Sequence, residues 1–118
     1  MNIQIFGTKK SKETRAALRF FADRRIPVHF VDFAVKGPSK GELSRFVQKF
    51  GVTSLVDESS KRYAELGLRA AHLSDERWMD TLVEEPLLLR QPLVRNQSQL
   101  TVGDASGEWK RWVEAAKG

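Results

Sequence analysis

The run Asn2-Ile-Gln-Ile-Phe6 alternates polar and apolar residues, the two-residue period of a strand with a buried face, and the polar turn Gly7-Thr-Lys-Lys-Ser11 follows at once. A helix is predicted from that turn. Ser11 is suited to cap it, because its hydroxyl can accept one of the backbone N–H groups left over in a first helical turn. Ala16, Ala17, Leu18, Phe20 and Phe21 supply an apolar face, and Arg24-Arg25 stands where the helix dipole favours cations. Ile26-Pro27-Val-His-Phe-Val-Asp-Phe33 then reads as a second strand. A strand, a helix and a strand within about thirty residues form a crossover unit, so the second strand is expected parallel to the first.

Beyond it, Lys36-Gly-Pro-Ser39 marks a turn, and Ser39 can cap a helix running through Leu43, Phe46, Val47 and Phe50 to a stop at Gly51. A second helix is predicted from about Ser60, carrying Tyr63 and Leu66 to Gly67. A third, capped by Ser74, carries Trp78, Met79, Leu82 and Val83 before Pro86. A hairpin of Leu93 to Arg95 and Leu100 to Val102 about Asn96-Gln97-Ser98 follows, then a last helix capped by Ser106 with Trp109, Trp112 and Val113 inward. At 118 residues and 41% hydrophobic content the chain is expected to be one α/β domain, 1–118, with a helical insertion at about 39–85.

The chain contains no cysteine, which excludes thiol chemistry by the protein itself. Net charge is +5 and the isoelectric point near 9.8, but Lys9-Lys10-Lys12, Arg24-Arg25, Lys61-Arg62 and Lys110-Arg111 are interleaved with acids, as on solvated helix faces. No recognition-helix, zinc-finger or RNA-binding aromatic motif is present, so no specific nucleic-acid binding is expected. No metal site is expected from His29 and His72, which are far apart and lack ligand spacing. No apolar stretch is long enough to cross a bilayer and the start has no secretory pattern, so the expectation is a cytoplasmic monomer with no membrane partner.

Three segments together resemble the arsenate reductase (ArsC) family, which includes the Spx transcription regulators and the YffB-type thiol reductases. They are Gly7 to Leu18 with the Ile26-Pro27 strand start; Phe50-Gly51-Val52 with Leu55-Val56 and Tyr63-Ala-Glu-Leu66; and Glu85-Pro86-Leu-Leu-Leu-Arg90-Gln91-Pro92-Leu-Val94 with Leu100-Thr-Val-Gly103. The last is similar to the family's P-x-L-[IL]-x-R-P-[IL] segment and terminal V-G. The resemblance implies an ArsC-type thioredoxin-like fold and a cis peptide bond at Pro92.

It also implies where catalysis would sit, and there the chain departs from the pattern. The nucleophilic cysteine's position holds Ser11, and the arginine before the cis-proline is replaced by Gln91, with Arg90 one residue earlier. Relatives place another arginine in the middle segment, which here reads Asp57-Glu58-Ser59-Ser60; the position near Val102, where a third can stand, is apolar. A serine hydroxyl would not attack arsenate without a dedicated base, and no histidine lies nearby in sequence. The expected function is therefore a non-catalytic, binding or regulatory role for an unknown protein partner or a small anion. The anion would bind at a helix N-terminus rich in cations, with Thr8, Lys9, Lys10, Ser11, Lys12, Arg15, Arg90, Gln91 and Pro92 as candidate contacts. One alternative is a glutathione-dependent transferase or reductase in which Ser11 holds the thiolate of glutathione, the one cofactor envisaged. Another is Spx-like binding to RNA polymerase, blind to redox because the Spx Cys-x-x-Cys stretch corresponds to Ser11-Lys-Glu-Thr14.

Overall fold

The computed structural model describes residues 1–117. The chain divides into two compact units, one made of Met1–Ala34 with the segment from Gln91 onward, the other of Val35–Arg90. The first unit contains β1 (Ile3–Gly7), α1 (Lys12–Asp23), β2 (Val28–Asp32), β3 (Leu93–Asn96), β4 (Gln99–Val102) and α5 (Ser106–Lys117). Its four-stranded sheet has the order β2-β1-β3-β4, with β1 parallel to β2 (Ile5 opposite Phe30) and the other pairs antiparallel (Ile5 opposite Val94, Val94 opposite Thr101). This is the α/β, thioredoxin-like arrangement, and the parallel pair follows from the crossover through α1.

Ile3 and Ile5 of β1, Ala17 and Phe21 of α1, Val94 of β3, and Trp109, Trp112 and Val113 of α5 form one buried cluster. Hydrophobic burial of this kind is the main stabilising term of a domain of this size. Phe6 and Gly7 are buried too, so the alternation of the first strand ends at Ile5, as a central strand permits. Ala16, in contrast, is exposed and does not belong to the apolar face of α1.

The end of α1 differs from the simple stop suggested by Arg24-Arg25. Arg25 adopts a left-handed conformation (φ 57°), its N–H bonds to the Ala22 carbonyl and that of Ile26 to the Phe21 carbonyl, the paired bonds of a Schellman ending. Ile26 and Pro27 are used up in this turn, and the second strand starts only at Val28. The hairpin turn is one pair tighter than expected, because Asn96 still pairs with Gln99 and Gln97 takes the positive φ of 56°. Ser106 is the first residue of α5 rather than its cap. Ala105 provides the carbonyl for the Trp109 N–H, and the Asp104 carboxylate accepts from the Ser106 N–H at 3.2 Å.

The second unit contains α2 (Lys40–Phe50), α3 (Lys61–Glu65) and α4 (Asp75–Glu84) with short 3-10 turns between and after them. Each helix is capped by a serine, Ser39 and Ser74 as their sequence pattern assigned and Ser60 at the start expected for its helix. Ser39 and Glu42 form a reciprocal capping box, Ser60 accepts from the Tyr63 N–H, and Ser74 accepts from the Arg77 N–H. Gly51 and Gly67 take positive φ values of 82° and 63° just past α2 and α3, which glycine alone adopts without strain.

Arg62 Nε and Nη2 donate to the two oxygens of Glu85 at 2.8 and 2.7 Å, a forked pair that ties α3 to the end of α4. These bonds hold the Glu85 carboxyl below its ordinary value of 4.5, against the opposite effect of partial burial. A carboxyl lowered on folding adds stability above its unfolded-state pKa and loses it as pH falls through the folded-state value. The melting-temperature difference between the native chain and Glu85→Gln is thus expected in full near pH 7 and to close as pH drops below about 4. Thermal scans across that range check it; a difference that widened on acidification would contradict it.

Candidate functional site

Strand β1 delivers the chain at Gly7 into a tight loop. The Ser11 N–H donates to the Thr8 carbonyl at 3.1 Å, and the Ser11 carbonyl accepts the first helical bond, from Arg15, at 3.0 Å. Ser11 Oγ accepts from the Thr14 N–H at 3.2 Å and its proton points to Glu13 Oε2 at 3.4 Å. The hydroxyl is thereby committed to capping α1. Arg15 reaches back under the loop, its Nη1 donating to the carbonyls of Lys9 and Lys10 at 2.8 and 3.0 Å. By bonding two successive carbonyls the guanidinium braces the loop.

From the start of β3, Gln91 inserts its side chain into the same loop. Gln91 Oε1 accepts from the Thr8 N–H at 2.7 Å, from Thr8 Oγ1 at 3.1 Å and from Thr14 Oγ1 at 3.2 Å. Thr14 is fully buried on α1 and Thr8 nearly so, which makes a shared acceptor valuable, since an unpaired buried donor costs about 1–3 kcal/mol. The close approach needs Gly7: a Cβ there would lie 2.5 Å from Thr14 Oγ1 and 3.1 Å from Gln91 Oε1. The Gln91–Pro92 bond is cis, and the Pro92 carbonyl accepts from the Gly103 N–H at 2.9 Å.

The ArsC family matches residues 6–112 of this sequence, a span that includes the loop, α1, the helical segment and the hairpin. The chain belongs to the ArsC family. An arsenate reductase of Neisseria meningitidis is 28% identical over 104 residues, 86% of this chain and 89% of that protein. One from Rhizobium meliloti is 28% identical over 96 residues, 80% of this chain and 69% of that one. Among solved structures, an arsenate reductase from Vibrio cholerae superposes with a TM-score of 0.78 at 25% identity, over 92% of this chain and 94% of its own. An ArsC family related protein from Bacteroides fragilis reaches 0.82 at 20% identity, over 94% and 97%.

With ArsC membership established, each candidate residue can be placed. Thr8, Ser11 and Gln91 converge on one loop beside Pro92, and Lys9, Lys10 and Lys12, in the loop and at the first helical position, are exposed, with Lys9 Nζ 6.0 Å from the Phe30 ring centre. Arg15 is present but turned to backbone carbonyls. Arg90 belongs to the other unit, where its N–H donates to the Leu55 carbonyl and its Nη1 to the Ser54 carbonyl at 3.4 Å. Two residues of the site escaped the sequence reading: Thr14, a hydroxyl on the buried face of α1, and Gly7, whose missing side chain admits it. The one legible hint was a threonine three residues past a capping serine, on the side of the helix that carries Ala17 and Phe21.

Chemically the site is rich in donors and poor in nucleophile. Among the described residues Ser11 hydrogen-bonds to no histidine or lysine, and its contact with the Glu13 carboxylate, at 3.4 Å, is long for a bond that would activate the hydroxyl. Among the described residues no three His, Cys, Asp or Glu side chains are placed to hold a metal ion, and no helix is long and apolar enough to cross a membrane.

Proposed function

We propose that this ArsC-family chain acts by binding or regulation and carries out no thiol or oxyanion chemistry of its own. The observation that supports this is the Gln91 carboxamide oxygen, which takes up three donors of the loop beside a serine at the nucleophile's position. A neutral amide here closes the loop from inside, whereas an arginine would add a positive charge for an oxyanion. An anion arriving from solvent meets the cations of Lys9, Lys10 and Lys12 and the free amides of Lys12 and Glu13 at the start of α1, and is held there without reacting.

A glutathione-binding reading has one observation in its favour: the backbone N–H and C=O of Gln91, next to the cis bond, pair with no other described residue and could meet an extended peptide. An amide-resolved NMR titration with arsenate, phosphate and glutathione separates the cases. The proposal expects weak shifts at Lys12 and Glu13 with either oxyanion and no consumption of arsenate. Saturable glutathione shifts around Gln91, with conjugation that depends on Ser11, would replace it with the transferase reading.

A further inference from the structure

Of the chain's 20 Lys and Arg and 15 Asp and Glu, seven cations and two acids fall between Thr8 and Arg25, which leaves thirteen of each elsewhere. The whole excess of +5 therefore sits on one loop and one helix. Lys9 and Lys10 in the loop, Lys12, Arg15 and Arg19 on α1, and Arg24 and Arg25 at its end are all exposed. None of them has a carboxylate partner: the ion pairs among the described residues are Lys40–Asp80, Arg62 with Glu65 and Glu85, and Arg111–Glu108.

Helix geometry sharpens the pattern. At roughly 100° per residue, Lys12, Arg15 and Arg19 fall within an arc of about 60°, opposite the buried Thr14, Ala17 and Phe21. Their successive rises along the axis are about 4.5 and 6 Å. Like charges at this spacing repel, and a surface that keeps them unpaired is stabilised by an anionic partner.

We propose that the outer face of α1 docks an acidic helical segment of a partner protein. Carboxylates at i, i+3 and i+7 of such a helix repeat the same rises and would pair with Lys12, with the Arg15 nitrogens not used on the Lys9 and Lys10 carbonyls, and with Arg19 in turn. A single-stranded nucleic acid fits less well, because binding of that kind stacks bases on exposed rings. Here Phe20 is covered by the Arg24 guanidinium, 3.6 Å from its ring centre, and Phe21 is buried. A duplex fits less well too, since the stripe is one helix wide and about 18 Å long, below the roughly 600–1,000 Å² of a single DNA-binding module.

The test is fluorescence anisotropy with a labelled Glu-rich helical peptide and with single- and double-stranded oligonucleotides of equal charge. Reversing Lys12→Glu with Arg19→Glu should weaken peptide binding about tenfold or more, as should raising salt from about 20 to about 300 mM. Lys61→Glu with Arg77→Glu, an equal change of net charge in the neutral unit, should leave binding unchanged. If the reversed variant fails to fold, Lys12→Gln with Arg19→Gln takes its place, with a smaller loss in the same direction. Equal loss in both pairs of variants, or no loss in either, overturns the proposal, and tighter binding of an oligonucleotide than of the peptide overturns the choice of partner. The inference rests on the binding reading above, yet the two fail separately. Enzymatic arsenate turnover would sink that reading, and a catalytically silent protein that ignores the peptide would sink this one.

Discussion

Replacing Trp109 with alanine is expected to destabilise the protein by about 3–5 kcal/mol and to lower its melting temperature by roughly 12–25 °C. The indole is 1% exposed, stands edge-on to Phe20 at 5.5 Å and tilted to Phe21 at 5.8 Å, and its Nε1–H donates to Thr101 Oγ1 at 2.9 Å. It thus joins α5 to α1 through the rings and to β4 through the hydrogen bond. Truncation removes both the apolar contact and the indole donor to the buried Thr101 hydroxyl. Trp109→Phe keeps most of the first and loses the second, so its cost should fall to about 1–2 kcal/mol. Urea unfolding of the three proteins measures the split; equal losses for alanine and phenylalanine would show that the hydrogen bond, not the packing, dominates.

Gly7→Ala is the second large effect, at about 2–4 kcal/mol, and it acts where the loop closes. The added methyl would lie 2.5 Å from Thr14 Oγ1 and 3.0 Å from its Cγ2, atoms that cannot swing aside because Thr14 is fully buried. Relief requires Thr14 to turn away from Gln91, which breaks one of the three bonds to the carboxamide oxygen. Thr14→Ala removes both clashing atoms, so the double variant should be less destabilised than the sum of the single ones, with a coupling of about 1–2 kcal/mol. Simple additivity would contradict the contact described here.

The parts of the fold that were readable from sequence are those set by neighbours in the chain. The period of Ile3 and Ile5, the serine caps at positions 11, 39 and 74, the helix start near Ser60, and the glycine stops at 51 and 67 are all decided within a few residues, and each appears where its pattern placed it. The errors came where a local rule had a rival. At the end of α1 a non-glycine residue took the left-handed position, and at α5 an aspartate two residues upstream of Ser106 took over at the helix start. The interior of the site was out of reach for a different reason. Gln91 meets Thr8 and Thr14 across separations of 83 and 77 residues, and no periodicity records a contact that only the pairing of β3 with β1 creates. The resemblance to the family implied only that an arginine could stand at Gln91; the structure shows its carboxamide oxygen bonded to both Thr8 and Thr14.

The most direct measurement is the rate of arsenate reduction by the purified native chain, supplied with glutathione and glutaredoxin and compared with the same mixture lacking the protein. A rate indistinguishable from that background is expected, because Ser11 caps α1 and has no base to activate it. Enzyme-like turnover that disappears in Ser11→Ala would contradict the non-catalytic reading at its root.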